Sequence, residues 1–283
     1  MQRFTLETVL WIGLAVIFAP AVMGLAEHWQ AHDYYNHGFL VPLVALASGQ
    51  PLWKKLGPSQ RYLPALAGLG LSLGLYAFGL LIGQVSLQGL ALVAAVTCLV
   101  MFRGGPGVLR TFAFPLGFLL FMIPLPTSWV TPLIVSLQTI ASQAAVAVLH
   151  AFDVPVLRDG NVIRLPGGGS LFVAEACSGI TSLISLIPIG FLLARFTDEV
   201  FWRRAAIVLA VVPAALLGNA IRVIVTVYAA NAVGIERATT GTLHDMAGLL
   251  TSAFAVVLVI AFGSLLRRLT EDGDPIAPPP ATA

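Results

Sequence analysis

Cys177, Arg222 and His244 supply a thiol, a guanidinium and an imidazole, from which an acyl-transfer centre needs a nucleophile, a cation for a developing oxyanion and an acid/base. Local context sets each apart from ordinary residues of its type. Cys177 follows Glu175 and precedes Ser178 and Gly179 at an expected strand-to-helix junction. Free N–H groups at such a helix start lower a thiol pKa and can donate to an oxyanion. Cys98 lies instead within the apolar run Ala91 to Val100, where a cysteine acts as a small filler, and a bridge between the two is not expected. Arg222 interrupts an apolar stretch, a placement that costs roughly 2.5–3.5 kcal/mol at a span centre. Snorkelling to headgroups is its plain explanation; a fixed cation for an oxyanion or substrate carbonyl is the functional one. Asn219, one turn back on the same face, adds a donor, and Gly218 lets a neighbouring helix or a substrate backbone approach closely. His244 heads the last apolar run, and Gly248 one turn later leaves room to bring the imidazole toward Cys177. Asp245 points about 100° away from His244, which suits a cap or surface role better than fixing the tautomer.

The elements that must position these groups are membrane spans. Of 283 residues, 58% are hydrophobic and 10% charged, and the mean hydropathy is +0.92, more apolar surface than a soluble fold could bury. A net charge of +2, with no basic patch, gives nucleic acid no footprint. Apolar runs at Thr8–Ala26, Gly38–Trp53, Tyr62–Ile82, Val85–Phe102, Val108–Leu125, Ser178–Phe196, Ala205–Ala230 and Leu243–Leu266 predict about eight transmembrane helices. The first could pass for a signal peptide through Ala19-Pro20-Ala21; it is read as a retained helix. With the N-terminus cytoplasmic, the inner loops collect eleven of the fifteen Lys plus Arg, among them Arg103, Arg195, Arg203, Arg204, Arg267 and Arg268. Cys177 and Arg222 each lie eighteen residues from an inner arginine, roughly 27 Å of helical rise, and His244 lies twenty-three residues from Arg267, roughly 34 Å. All three therefore converge near the outer boundary of a core about 30 Å thick, a level that His37 shares.

Thr127 to Phe152 carries no formal charge at neutral pH and could be read as a further span. Crossing there would move five arginines outside, and Thr131, Gln138 and Ser142 share one helical face against Trp129, Leu133, Leu137 and Ala144. An amphipathic helix on the outer surface is expected, followed by a β-hairpin turning at Asp159-Gly160 and a short strand ending near Val173. Residues 127–176 thus form an extracytoplasmic insert in a single membrane domain, 1–271, with 272–283 a disordered cytoplasmic tail. His28, His32, Asp33 and His37 fit no closed zinc spacing and lie among Trp29, Tyr34 and Tyr35, an aromatic interfacial loop; neither metal nor cofactor is expected. Gly167 to Gly169 lack the Lys and Ser/Thr of a phosphate loop.

Glu175-Ala176-Cys177-Ser178-Gly179, Pro213-x-Ala215 leading to Gly218-Asn219-x-x-Arg222, and His244-x-x-x-Gly248 together resemble the signature of the exosortase and archaeosortase family. Asn36 to Pro42, which contains His37, and Met122-Ile123-Pro124-Leu125-Pro126 extend the likeness over nearly the whole chain. The resemblance implies a transpeptidase-like cysteine protease in the plasma (inner) membrane. Its partners would be secreted proteins with a C-terminal sorting signal, made of a short motif, a transmembrane helix and a basic cluster. Cys177 would be the nucleophile, His244 the acid/base and Arg222 the stabiliser of the tetrahedral intermediate. Bacterial members typically recognise a Pro-Glu-Pro motif and are linked to extracellular polysaccharide, so a polysaccharide or lipid acceptor is one option for resolving the acyl-enzyme and water another. The competing classes are a lipid or polysaccharide transporter or flippase, which predicts polar residues through the full membrane depth, and a membrane acyltransferase using the same cysteine.

Overall fold

The computed structural model describes residues 2–165, 168–172 and 180–271. The chain is an all-α polytopic membrane protein with a small three-stranded sheet, and it divides into two compact units, Met1–Val130 and Thr131–Ala283. Among the described residues, six helices are long and apolar enough to cross a membrane, and two shorter apolar helices accompany them.

The first unit holds α1 (Gln2–Ala31), a 3-10 turn (Asp33–Phe39), α2 (Leu40–Lys54), α3 (Pro64–Leu81) and α4 (Val85–Gly104). The short α5 (Val108–Thr111), α6 (Ala113–Phe118) and a 3-10 turn (Leu119–Met122) complete it. Two expected spans differ here from continuous helices. Gly38–Trp53 becomes a 3-10 turn joined to a 15-residue α2, too short to cross a core of about 30 Å unaided. Val108–Leu125 breaks between Thr111 and Ala113 because Pro115 has no N–H for the Thr111 carbonyl, and the ladder resumes only with Leu116 N–H to Phe112 O at 3.0 Å. Ile123 is extended (ψ 120°) ahead of Pro124, ending the segment. Near one end of α1, α2 and α4, Arg103 pairs with Glu7 at 2.7 Å and lies over the Trp53 ring at 5.0 Å. Cys98 sits between α3 and α4, where a Cβ on Gly68 would come within 2.8 Å of its Sγ, which is a filler's position.

In the second unit, α7 (Thr127–Ala151), which starts just before the boundary, leads into β1 (Leu157–Asp159), β2 (Val162–Arg164) and β3 (Ser170–Phe172), antiparallel in the order β1-β2-β3. Asp159 pairs with Val162, so the hairpin turns at Gly160-Asn161 rather than at Asp159-Gly160; Gly160 takes the positive φ (62°) that a two-residue loop demands. By length and composition α7 could itself cross a membrane. Its polar stripe, however, faces protein. Gln138 accepts from Asn161 at 2.9 Å and Ser142 donates to Gly160 O at 3.3 Å, whereas Trp129, Ile140 and Val148 on the other face are exposed. Beneath the sheet, Ala145, Leu149, Ile163 and Leu171 share one apolar cluster with Val223 and Val227.

The remaining helices are α8 (Ile180–Thr197), α9 (Phe201–Val233), α10 (Ile235–Thr239) and α11 (Gly241–Glu271). α9 packs along both α8 and α11. The expected tail, 272–283, lies outside the described residues.

Candidate functional site

Arg222 and His244 meet because glycines let α9 and α11 approach closely. A Cβ on Gly218 would fall 2.9 Å from the Thr251 carbonyl and 3.5 Å from Ala255 Cβ, so only glycine fits against the α11 backbone there. The same helix pair is tied lower down by Gly263, whose added Cβ would meet Ile207 at 3.2 Å. With that register, Arg222 and Gly248 lie at one depth, and the guanidinium passes over Gly248: a Cβ there would be 2.9 Å from Nη2 and 3.0 Å from Cζ. Nη2 then donates to His244 Nε2 at 2.8 Å. The depth difference of roughly 7 Å between Arg222 and His244 along their helices is covered by the length of the arginine side chain.

Accepting at Nε2 makes His244 a neutral imidazole protonated on Nδ1, and Nδ1 has no hydrogen-bond partner of ordinary geometry among the described residues. Arg222 is buried, only 8% exposed. Asn219, one turn before it, is 2% exposed, and among the described residues neither its amide oxygen nor its amide nitrogen has a hydrogen-bond partner. A buried amide left unsatisfied costs about 1–3 kcal/mol per group. Asp245 is exposed, in keeping with a surface role.

α8 enters from the other side. Ser182 in its first turn and Ser252 on α11 are hydrogen-bonded at 3.3 Å, fixing the start of α8 beside the helix that carries His244. Neither serine stands out in the sequence, since a serine in an apolar run carries no mark of its partner. Cys177, with Glu175, Ser178 and Gly179, lies outside the described residues, as does Gly167. His37 belongs to the first unit, where its Nε2 donates to Phe121 O at 3.2 Å; burial pushes its pKa down, partly offset by the Phe121 and Tyr34 carbonyls, so its ring serves as a neutral staple between two 3-10 turns. His28, His32, Tyr34 and Tyr35 stack as one aromatic group, with the two histidine rings 4.3 Å apart.

An imidazole held by a buried guanidinium, with an unsatisfied amide one turn away, can pass a proton and bind an oxyanion or a peptide group. Compared with known proteins, residues 29–263 match the transmembrane exosortase family. No curated protein and no solved structure matches the chain.

Proposed function

This chain belongs to the transmembrane exosortase family, a family of membrane sorting enzymes, and from that premise we propose that it cleaves secreted proteins near a C-terminal sorting signal through an acyl-enzyme on Cys177. The observation that carries the reading is the buried contact of Arg222 Nη2 with His244 Nε2 at 2.8 Å. In the proposed reaction the Cys177 thiol gives its proton to His244 and attacks the scissile carbonyl. His244 Nε2 takes that proton and so gives up the N–H it had accepted from Arg222, which frees Nη2 to turn to the oxyanion. The imidazolium then protonates the departing amine, leaving a thioester that water or an amine or hydroxyl acceptor resolves.

Asn219 has the right inventory to grip the substrate main chain, one donor and one acceptor for one peptide C=O and N–H. Glu175, Ser178 and Gly179 are assigned to shaping the junction around the thiol, and His37 to holding the first unit's 3-10 turns. The tether supports the role of Cys177. It lies five residues before Ser182, a span of at most about 18 Å of extended chain, and Ser182 is bonded to the helix bearing His244.

The site is assigned to the extracytoplasmic face of the inner membrane, with both termini cytoplasmic, so that a substrate helix held in the bilayer presents its outer-end peptide bond to the thiol. α7 and the sheet are assigned to that same face, the apolar side of α7 toward lipid and its polar stripe under the sheet. The test is processing of a secreted protein that carries such a signal, followed in membranes. Cys177→Ala is expected to abolish cleavage while inserting normally, and Cys98→Ala to leave it unchanged. Full processing by Cys177→Ala would overturn the assignment.

A further inference from the structure

At the opposite end of α9 and α11 from Arg222 and His244 lies a second polar construction. Asp198, between α8 and α9, is buried: Val200 N–H donates to its Oδ1 at 2.9 Å and Arg203 Nε at 3.1 Å. Arg203 also donates to Thr270 Oγ1 at 3.0 Å, Arg204 Nε donates to Asp198 O at 2.7 Å, and Arg267 bonds the Thr197 carbonyl while its Nε lies 3.9 Å from Asp198 Oδ2. Together the end of α8, the start of α9 and the end of α11 enclose a polar cleft of about 740 Å³. Its charged lining is Arg195, Arg203, Arg204 and Arg267 against Asp198 and Glu199.

We propose that this cleft binds the phosphate of an anionic phospholipid headgroup. Four guanidiniums line the cleft among the described residues, and guanidinium forks suit phosphate oxygens. Its size falls in the range of roughly 300–1,000 Å³ of small-molecule sites. The rim fixes the source as lipid. Phe196, Phe201 and Trp202 stand 69%, 83% and 51% exposed around the short loop that carries Asp198, as aromatic side chains do where headgroups meet acyl chains. Phosphatidylglycerol carries its phosphate as its one charge, and basic pockets between helix ends are where anionic headgroups bind. Such a lipid would tie together the ends of α8, α9 and α11, the helices that lead from Cys177 and carry Arg222 and His244.

The experiment uses the full chain in phosphatidylcholine nanodiscs with and without phosphatidylglycerol, and needs no activity readout. Native mass spectrometry is expected to show phosphatidylglycerol retained in preference to phosphatidylcholine, with a rise in Tm. Arg195→Gln/Arg267→Gln should lose most of that preference, at least tenfold, while Arg110→Gln/Arg268→Gln, equal in charge change but outside the cleft, keeps it. Equal retention by all three would overturn the proposal. So would an equal rise in Tm from glycerol phosphate added to phosphatidylcholine discs, which would make the ligand a soluble phosphate. Should the double variant not fold, photocrosslinking of wild type with a headgroup-diazirine phosphatidylglycerol decides: adducts within 195–204 and 267 support the site, and adducts confined elsewhere remove it.

Discussion

At Arg222, charge and shape make separable demands. A cation that merely snorkels needs only reach, which lysine has. A cation that first holds an imidazole at 2.8 Å and then turns its N–H groups to an oxyanion needs the planar fork. Arg222→Lys is therefore expected to insert normally yet lose about a hundred- to a thousand-fold in processing rate, the usual consequence of removing one oxyanion donor, about 2.7–4 kcal/mol. Because the loss falls in the transition state, the lysine variant should still co-purify with uncleaved substrate. Near-normal processing by this variant would reduce Arg222 to an anchor. Counting helical rise from inner arginines was enough to bring Arg222 and His244 to one level. What the counting could not supply was Gly248's partner: the spacing assigns its empty space to an approach of the imidazole to Cys177, whereas the structure fills it with the guanidinium. A one-dimensional pattern gives the face a glycine occupies but not the side chain that crosses from the next helix.

The α9–α11 pair holds these residues in register, and glycine is the means. Gly248→Ala would set a methyl 2.9 Å from Arg222 Nη2. The displaced atoms are the far end of a flexible side chain, so Tm should move little, by the equivalent of about 1 kcal/mol or less, while processing falls at least tenfold. Equal loss of both would mean that Gly248 serves packing alone. At the other end of the pair, burial pushes the Asp198 carboxyl up, but the Val200 N–H, Arg203 and Arg267 outweigh that and hold it below the ordinary aspartate value. A carboxyl lowered in the fold contributes stability above its unfolded pKa and loses it as pH falls through the folded one. Tm should accordingly drop on acidification below the ordinary aspartate range, and Asp198→Asn should flatten that dependence while costing about 1.5–3 kcal/mol at neutral pH. A parallel pH profile in the variant would discharge Asp198 from the role. Element by element, the long apolar helices were legible because composition alone demands them. The break at Thr111 and the start of α2 at Leu40 were not, since hydropathy stays high through Pro115 and across Phe39, Leu40 and Val41. The arginines around Asp198 were legible as topological anchors, and Asp198 itself was not, because an acid in a polar loop looks solvated until its partners are placed.

For the whole molecule, the open quantity is direction across the membrane, and the second unit ties direction to chemistry. The Asp198 network stands at the start of α9 and the Arg222–His244 contact about two-thirds of the way along it, with Arg204 and Arg222 eighteen residues apart, roughly 27 Å, close to one hydrocarbon thickness. Whichever side receives the arginine-rich start of α9, Arg222 and His244 lie toward the other. Eleven of fifteen Lys plus Arg fall in the loops assigned inside, so the Asp198 end is expected in the cytoplasm and Cys177 outside. A membrane-impermeant thiol reagent applied to intact spheroplasts of the Cys98→Ala variant should then label the protein through Cys177. Bound sorting-signal peptide should block the labelling, because the acylated carbonyl and the reagent compete for one sulfur. Labelling that appears only in inverted vesicles would reverse the orientation and place proteolysis on the cytoplasmic face, where a substrate already exported could not be the one cleaved. Labelling from outside that peptide does not slow would keep the orientation and separate Cys177 from the substrate site.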